Sequence, residues 1–287
     1  MKRIGVIANC GKPQATAVLA RLSDLAGRRG LDLLATGPTA RRLRSARSVT
    51  PAQLARLSEA VLVLGGDGTL LSAVRLLGAH PPPLLGVNLG NLGFLTSVPQ
   101  EHLEQAVDAL AAGTYSIARR SLLAGRLYRG RRRISDALAL NDIVLSWGRS
   151  SRINTLAVSV NGEPVTDYRC DGLIVSTPTG STGHSLSAGG PIVLPDTAAI
   201  LLNVICPHTL SARPLVLPDT SRLAIEVQDA SAGLLLSVDG QEDRTVEQGD
   251  RLEIRKAAAA VQLVHLPDHS HFALLRQKLN WRGSSIG

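Results

Sequence analysis

Hydrophobic spacing changes character once along this chain, near residue 117, and that change constrains the fold more than any other feature. Before it, short apolar runs alternate with stretches of helical spacing. After it, helical spacing gives way to short runs of alternating polarity. In the first part Arg3–Ala8, Leu31–Ala35, Ala60–Leu64 and Leu84–Asn88 read as strands. Gln14–Arg29, Pro51–Glu59, Leu70–Leu77 and Glu101–Ala112 read as helices, with Gly30 and Gly113 ending the first and last. Ala60–Leu64 is apolar at every position, as in a strand buried on both faces of a parallel sheet. The alternation predicts a doubly wound, Rossmann-like α/β domain over residues 1–117. In the second part Ser121–Tyr128 and Arg132–Leu138 flank Arg129-Gly130, and Ile153–Val160 and Pro164–Tyr168 flank Asn161-Gly162. Both read as hairpins. Gly172–Ser176, Leu201–Ile205, Arg222–Val227, Leu234–Val238 and Arg251–Lys256 continue the pattern. A mostly β, sandwich-like domain over 118–265 is expected, followed by a segment, 266–287, with a short helix at Phe272–Leu279.

A length of 287 residues suits two domains, and a hydrophobic fraction of 44% supplies their cores. The net charge of +8 makes acidic partners such as nucleotides plausible. Aromatic residues are only 2% of the chain, too few for the stacking platforms of single-strand readers, so no nucleic-acid partner is expected. The basic run Arg126–Arg133 reads as a solvated hairpin tip, because alternation continues on both sides of it. Cys10, Cys170 and Cys206 are odd in number and far apart, which points to a reducing, cytoplasmic compartment and to neither zinc nor disulfides. The opening MKRIGVIANC reads as a first strand, since Asn9 breaks its apolar run too early for a signal peptide. No apolar run approaches the length of a membrane span, and no membrane partner is expected.

The stretch Gly65-Gly66-Asp67-Gly68-Thr69 lies where the buried strand meets the next helix. It lacks the Lys of a P-loop and the spacing of a dinucleotide fingerprint. Its glycines let backbone N–H groups approach an anion at the positive end of a helix, which Thr69 is expected to cap. Asp67 is unusual there, because a buried carboxylate is a costly way to fill a turn. A second motif, Asp171–Val193, ends an apolar strand in clustered Ser, Thr and Gly, which suits polar recognition of a nucleotide. Ser181 or Ser185 with His184 is a poor nucleophile, since no GxSxG elbow frames either serine. The pair Asn141-Asp142 reads equally as a holder of a ribose diol and as a strand-end turn. His208 reads as a structural histidine, with no second ligand at metal-binding spacing.

Together these motifs resemble the NAD kinase family, in order and over nearly the whole chain. They are GGDGT at Gly65–Thr69, GVNLGNLGF at Gly86–Phe94, ALNDIVL at Ala139–Leu145, DGLIVSTPTGST at Asp171–Thr182, SLSAGGP at Ser185–Pro191, PHTLSARP at Pro207–Pro214 and VDGQ at Val238–Gln241. GGDGT alone is shared with lipid kinases and phosphofructokinases; TPTGST and PHTLSARP are far more specific. The resemblance implies transfer of the γ-phosphoryl group of ATP to the adenosine ribose 2′-hydroxyl of NAD, giving NADP, with Mg²⁺ or another divalent cation. It implies Asp67 as the proton acceptor and Gly65, Gly66, Gly68 and Thr69 as the donor-phosphate loop. It further implies that Asp67, Gly68, Asn141, Asp142, Arg152, Arg169, Asp171, Thr179, Thr182, Gly183, His184, Ser185, Leu186, Ser187 and Gln241 contact NAD. Such enzymes are homodimers or homotetramers with sites shared between subunits, and their C-terminal segment returns to the first domain.

The chain departs from the family pattern in two places. Gly183-His184 stands where Ala-Tyr is usual, replacing a ring that would pack against adenine with a smaller, titratable one. Cys170 stands where Gly is usual. These departures motivate one alternative, an impaired NAD-binding regulator; a lipid or sugar kinase sharing GGDGT is the other.

Overall fold

The computed structural model describes residues 1–147, 153–230 and 233–281, without the side chains at 242 and 243. It divides into two compact units, Met1–Ala118 with the chain from Gln262 on, and Arg119–Val261.

In the first unit β1 (Arg3–Ala8), β2 (Asp32–Ala35), β3 (Arg47–Ser48), β4 (Ala60–Gly65) and β5 (Leu84–Asn88) form a parallel sheet in the order β3-β2-β1-β4-β5. A two-residue strand, β6 (Val98–Pro99), pairs with β5. This is the doubly wound order: the chain leaves the centre one way through β2 and β3, and the other way through β4 and β5. The connecting helices are α1 (Ala15–Arg29), α2 (Gly37–Arg42), α3 (Pro51–Leu57), α4 (Asp67–Leu77) and α5 (Leu103–Ala112). Helix α1 packs with α5, and α3 with α4. Arg29, in the last turn of α1, bonds both Asp108 and Glu104 of α5. Leu62 and Leu64 of β4 are fully buried among Leu19 and Leu22 of α1 and Leu103 and Leu110 of α5. Each such leucine contributes about 1.5–3 kcal/mol of burial free energy. Helix α3 starts with a complete capping box, Thr50 with Gln53, and Pro51 at its first position.

The second unit is a sandwich. One sheet contains β10 (Asn154–Val160), β11 (Glu163–Cys170), β15 (Arg222–Asp229) and β18 (Asp250–His265), in the order β11-β10-β15-β18. The hairpin of β7 (Ser116–Arg129) and β8 (Arg132–Ala139) joins it along β18. The other sheet runs β14 (Leu215–Pro218), β13 (Ala199–Ile205), β12 (Gly172–Ser176), β9 (Asp142–Trp147), β16 (Leu234–Val238), β17 (Glu242–Val246). Leu156, Leu223, Ile225 and Leu252 from the first sheet share one core cluster with Leu145, Leu173, Ile200 and Leu236 from the second. A single turn, α6 (His184–Ser187), follows β12, and α7 (His271–Lys278) follows β18. No helix among the described residues is long and apolar enough to cross a membrane.

Two local expectations are corrected. Helix α4 starts at Asp67, three residues before the expected Leu70, and Gly66, not Thr69, occupies its N-cap position. Thr69 lies inside the first turn and folds its side chain over Gly65, where a Cβ would overlap Thr69 Oγ1. Asp67 is only half-buried, so its burial cost is smaller than its place in the turn suggested.

Candidate active site

The first unit reverses its winding between β1 and β4, which are adjacent and parallel, with Ala8 opposite Leu64. In doubly wound sheets ligands sit beyond the carboxyl ends of the strands at such a point. Two segments meet there: Gly65–Thr69 after β4, and the turn Asn9–Lys12 after β1. Asn9 N–H donates to Leu64 O at 2.8 Å, and the Asn9 side chain accepts from Gly11 N–H at 3.1 Å. From sequence Asn9 marks only the end of the first strand; its place beside the glycine turn comes from the pairing of β1 with β4.

The Asp67 carboxylate is held by four donors. Oδ1 accepts from Leu95 N–H (3.1 Å), Thr96 N–H (2.9 Å) and the Thr96 hydroxyl (2.9 Å), while Oδ2 accepts from Phe94 N–H alone (2.8 Å). Thr96 is fully buried and accepts in turn from Asn88 Nδ2 at 2.7 Å. Asn88 closes the chain by accepting from Gly90 N–H at 2.7 Å. The stretch GVNLGNLGF, read from sequence only as a motif, therefore ends in the mount of Asp67. Gly93 is required by close approach, since a Cβ there would overlap Asp67 Oδ1. Gly66 and Gly68 are different: a Cβ on either meets nothing within 4 Å. The fold does not demand glycine at those two positions, whereas an anion docking against the backbone would.

In the second unit Asn141 and Asp142 are strapped into place from both sides. Asp239, in the tight turn between β16 and β17, accepts from Leu140 N–H (2.9 Å), Asn141 N–H (2.7 Å) and Asp142 N–H (3.1 Å). Asp239 has φ +52° and Gly240 +64°, the left-handed pair of a type I′ turn. From the other side Asn141 O accepts Thr177 N–H at 2.9 Å and the Ser176 hydroxyl at 3.1 Å, while the Thr177 hydroxyl donates to Leu140 O at 2.6 Å. The Asp-Gly dipeptide within VDGQ was the signal for this turn, but the sequence reading took only Gln241 from it. Gln241 lies at its end, its N–H donating to Val238 O at 3.0 Å.

A cavity of about 390 Å³ opens over this group, lined by Asn141, Asp142, His184 and Asp239. Asp142 is 4% exposed, and its carboxylate has no hydrogen-bond or ion-pair partner among the described residues. Burial, with the nearby Asp239 charge second, pushes its acid up to about 7. Asn141 Oδ1, Thr179 Oγ1 and Ser185 Oγ are buried polar atoms without partners among the described residues. Such atoms cost roughly 1–3 kcal/mol each unless something satisfies them, as a polar ligand would. Thr182 follows in the same turn, its hydroxyl reaching Thr179 O at 3.4 Å, and Gly183 N–H donates to Gly180 O. His184, Leu186 and Ser187 occupy the next turn, with His184 exposed. The Ser181 hydroxyl both donates to and accepts from the Val193 backbone at 3.1 Å, which makes it a loop staple and not a nucleophile.

Arg169 and Asp171 do not join this group. Asp171 precedes β12, whereas Ser176 and Thr177, which hold Asn141, end it. Five residues of strand separate the two ends by roughly 17 Å. At its own end Asp171 faces His208 Nε2 at 4.0 Å and raises the Cys206 thiol by hydrogen bonding. Arg169 O accepts from His208 N–H at 2.9 Å. Arg152 lies outside the described residues. Among the described residues, no group of three His, Cys, Asp or Glu side chains is arranged to hold a metal.

A doubly wound unit with a glycine turn at its switch point, and a sandwich unit with an unsatisfied polar pocket, suit a nucleotide-binding protein. Residues 4–115 match the ATP-NAD kinase N-terminal domain and residues 140–266 the ATP-NAD kinase C-terminal domain. An NAD kinase of Thiobacillus denitrificans is 46% identical over 79% of this chain and 78% of its own length. One from Trichlorobacter lovleyi is 41% identical over 98% of this chain and 99% of its own. The crystal structure of yeast NADH kinase complexed with NADH superposes with a TM-score of 0.90 at 26% identity, covering 100% of this chain and 89% of that one. An NAD kinase from Archaeoglobus fulgidus in complex with ATP shares the fold, with a TM-score of 0.78 at 23% identity over 98% of this chain and 100% of its own. The chain belongs to the NAD kinase family.

Proposed function

We infer that this protein is an ATP-dependent NAD kinase that phosphorylates the adenosine ribose 2′-hydroxyl of NAD. The observation that carries the catalytic part is the Asp67 carboxylate, fixed by four donors at the switch point of the first unit, with Oδ2 left one acceptor position. In our reading the 2′-oxygen attacks the γ-phosphorus, the bond to the β–γ bridging oxygen breaks, ADP leaves, and the hydroxyl proton passes to Asp67 Oδ2. Phosphoryl transfer passes through a loose transition state in which alignment and charge neutralisation dominate, so a weak base that holds the hydroxyl in line suffices. The open backbone at Gly66 and Gly68 and the start of α4 would receive the donor phosphates, with Gly65 and Thr69 shaping the turn.

In the second unit we assign the acceptor diol to Asn141 and Asp142, and the remaining polar contacts to Thr179, Thr182, Gly183, His184, Ser185 and the Gln241 turn. A divalent cation, Mg²⁺ in our reading, would be carried chiefly by the ATP phosphates and water. It would neutralise charge on the transferring phosphoryl group. We further propose a cytoplasmic homodimer or homotetramer in which Arg169 and Asp171 serve a neighbouring subunit's site. Their separation from Asn141 along β12 supports that division.

The test is a matrix of donors (ATP, inorganic polyphosphate) and acceptors (NAD, NADH, diacylglycerol, fructose 6-phosphate), read as phosphorylated product. NADP formation from ATP and NAD is expected, with Asp67→Asn losing about 100-fold or more in kcat. Phosphorylation of the lipid or sugar instead, or near-normal turnover by the variant, would overturn the assignment.

A further inference from the structure

The outer face of the β11-β10-β15-β18 sheet carries a second basic feature, one the proposed reaction does not use. Along β15 and β18 the inward residues Leu223, Ile225, Leu252 and Ile254 are buried, so Arg222, Ala224 and Glu226, with Arg251, Glu253 and Arg255, face outward. The register sets Glu226 opposite Arg251, an unlike-charge pair 3.8 Å apart. Four residues along, the same register sets Arg222 directly opposite Arg255. Like charges directly opposite one another destabilise an antiparallel pair. Neighbouring cations are neutralised within the chain: Arg251 by Glu226 and Glu253, Lys256 by Asp219, and Arg126 by Asp136. Neither Arg222 nor Arg255 has a carboxylate within ion-pair distance among the described residues.

These two guanidinium groups border a trough of about 490 Å³. Ala124, Ser159 and Ala224 line it with small side chains that leave room between the strands, and the paired Arg251 and Glu253 line it as well. The tip of the β10–β11 hairpin, Asn161 and Gly162, also lines it and is pinned to β15. Arg222 N–H donates to Asn161 Oδ1 at 2.9 Å, and Asn161 N–H returns a bond to Arg222 O at 2.8 Å. The trough is large enough for a small extended ligand. Arginine forks match phosphate oxygens in paired hydrogen bonds, and the Ser159 hydroxyl adds a further donor.

We propose that this trough is an anion site, separate from the residues assigned to the reaction, that takes a phosphate-chain ligand across Arg222 and Arg255. Two sources share that chemistry, a nucleoside polyphosphate and an inorganic polyphosphate. The ligand would relieve the Arg222–Arg255 repulsion, so binding should also tighten the β15–β18 ladder.

The experiment is calorimetric titration of the whole protein with sodium tripolyphosphate at low ionic strength, beside the double variant Arg222→Ala/Arg255→Ala. Wild type should show two classes of binding: the catalytic donor site and a second, salt-sensitive class. The double variant should lose the second class, with affinity there at least about 100-fold lower, while kcat and both KM values stay unchanged. Arg255→Glu, which places unlike charges opposite each other, should also lose that class yet raise Tm. Competition by ATP for the second class assigns a nucleotide ligand, and its absence assigns an inorganic chain; either supports the site. Retention of both classes in the double variant, or a single class in wild type, would overturn it.

Discussion

At the scale of single residues, Asp142 has the most distinctive electrostatics in the second unit. Its acid is raised by burial first and by Asp239 second, to about 7. Folding therefore favours the protonated form, and the stability this brings is complete below about pH 4, the unfolded-state value. It is lost as pH rises through about 7. Asp142→Asn keeps a neutral polar group at every pH. Its Tm relative to wild type should be similar at pH 4 and higher at pH 8, by roughly 3 °C or more. Ligand binding runs the other way. A ribose diol donates its hydroxyls, so it needs the carboxylate, and NAD affinity of the wild type should climb over the same pH window. Thermal melts at the two pH values and a titration series with NAD check both halves. A Tm difference that is flat with pH would show that Asp142 does not carry the linkage.

The strand-turn-helix element β4–α4, with the 88–96 stretch that supports it, sets a contrast between glycines. Gly93 faces Asp67 with no room for a methyl group, whereas Gly66 and Gly68 face open space. Gly93→Ala should displace the Asp67 carboxylate and cost about 1–3 kcal/mol of stability with a large fall in kcat. Gly68→Ala should melt within a degree or so of wild type yet raise the KM for ATP about tenfold, because the methyl stands where a phosphate would meet the backbone. Equal melting losses in both variants would remove the distinction.

The same element shows what the sequence made legible. The parallel strand β4 was readable because five consecutive apolar residues suit no half-exposed strand. The expected start of α4 falls three residues late because GGDG suggests a turn by propensity, whereas Thr69 and Leu70 already donate their N–H groups to Gly66 O and the helix begins at once. The long β18 was read as Arg251–Lys256 because Ala257–Ala260 favours helix intrinsically; its pairing in the sheet overrides that preference. The mount of Asp67 was out of reach for a different reason. Phe94, Leu95 and Thr96 contribute backbone N–H groups, which every residue but proline carries, so no residue type advertises them.

For the whole molecule the telling fact is the division of the expected acceptor contacts between the two ends of β12. Asn141 and Asp142 stand by Ser176, while Arg169 and Asp171 stand beyond Gly172. If both sets serve the same ribose of one acceptor, one of them has to come from another copy of the chain. Closed two-fold assembly makes that reciprocal, since each subunit lends what it borrows. The proposal can be tested by mixing subunits. Asp67→Asn and Asp171→Asn homo-oligomers should each be nearly inactive. When they are unfolded together, refolded and allowed to assemble at random, about half the dimers are mixed. In a mixed dimer one site combines both substitutions and the other has neither. About half the sites of half the dimers are then intact, so activity should recover to roughly a quarter of wild type. Subunits that each use their own Asp67 and their own Asp171 produce no intact site by mixing, and activity would stay at the level of the two parents.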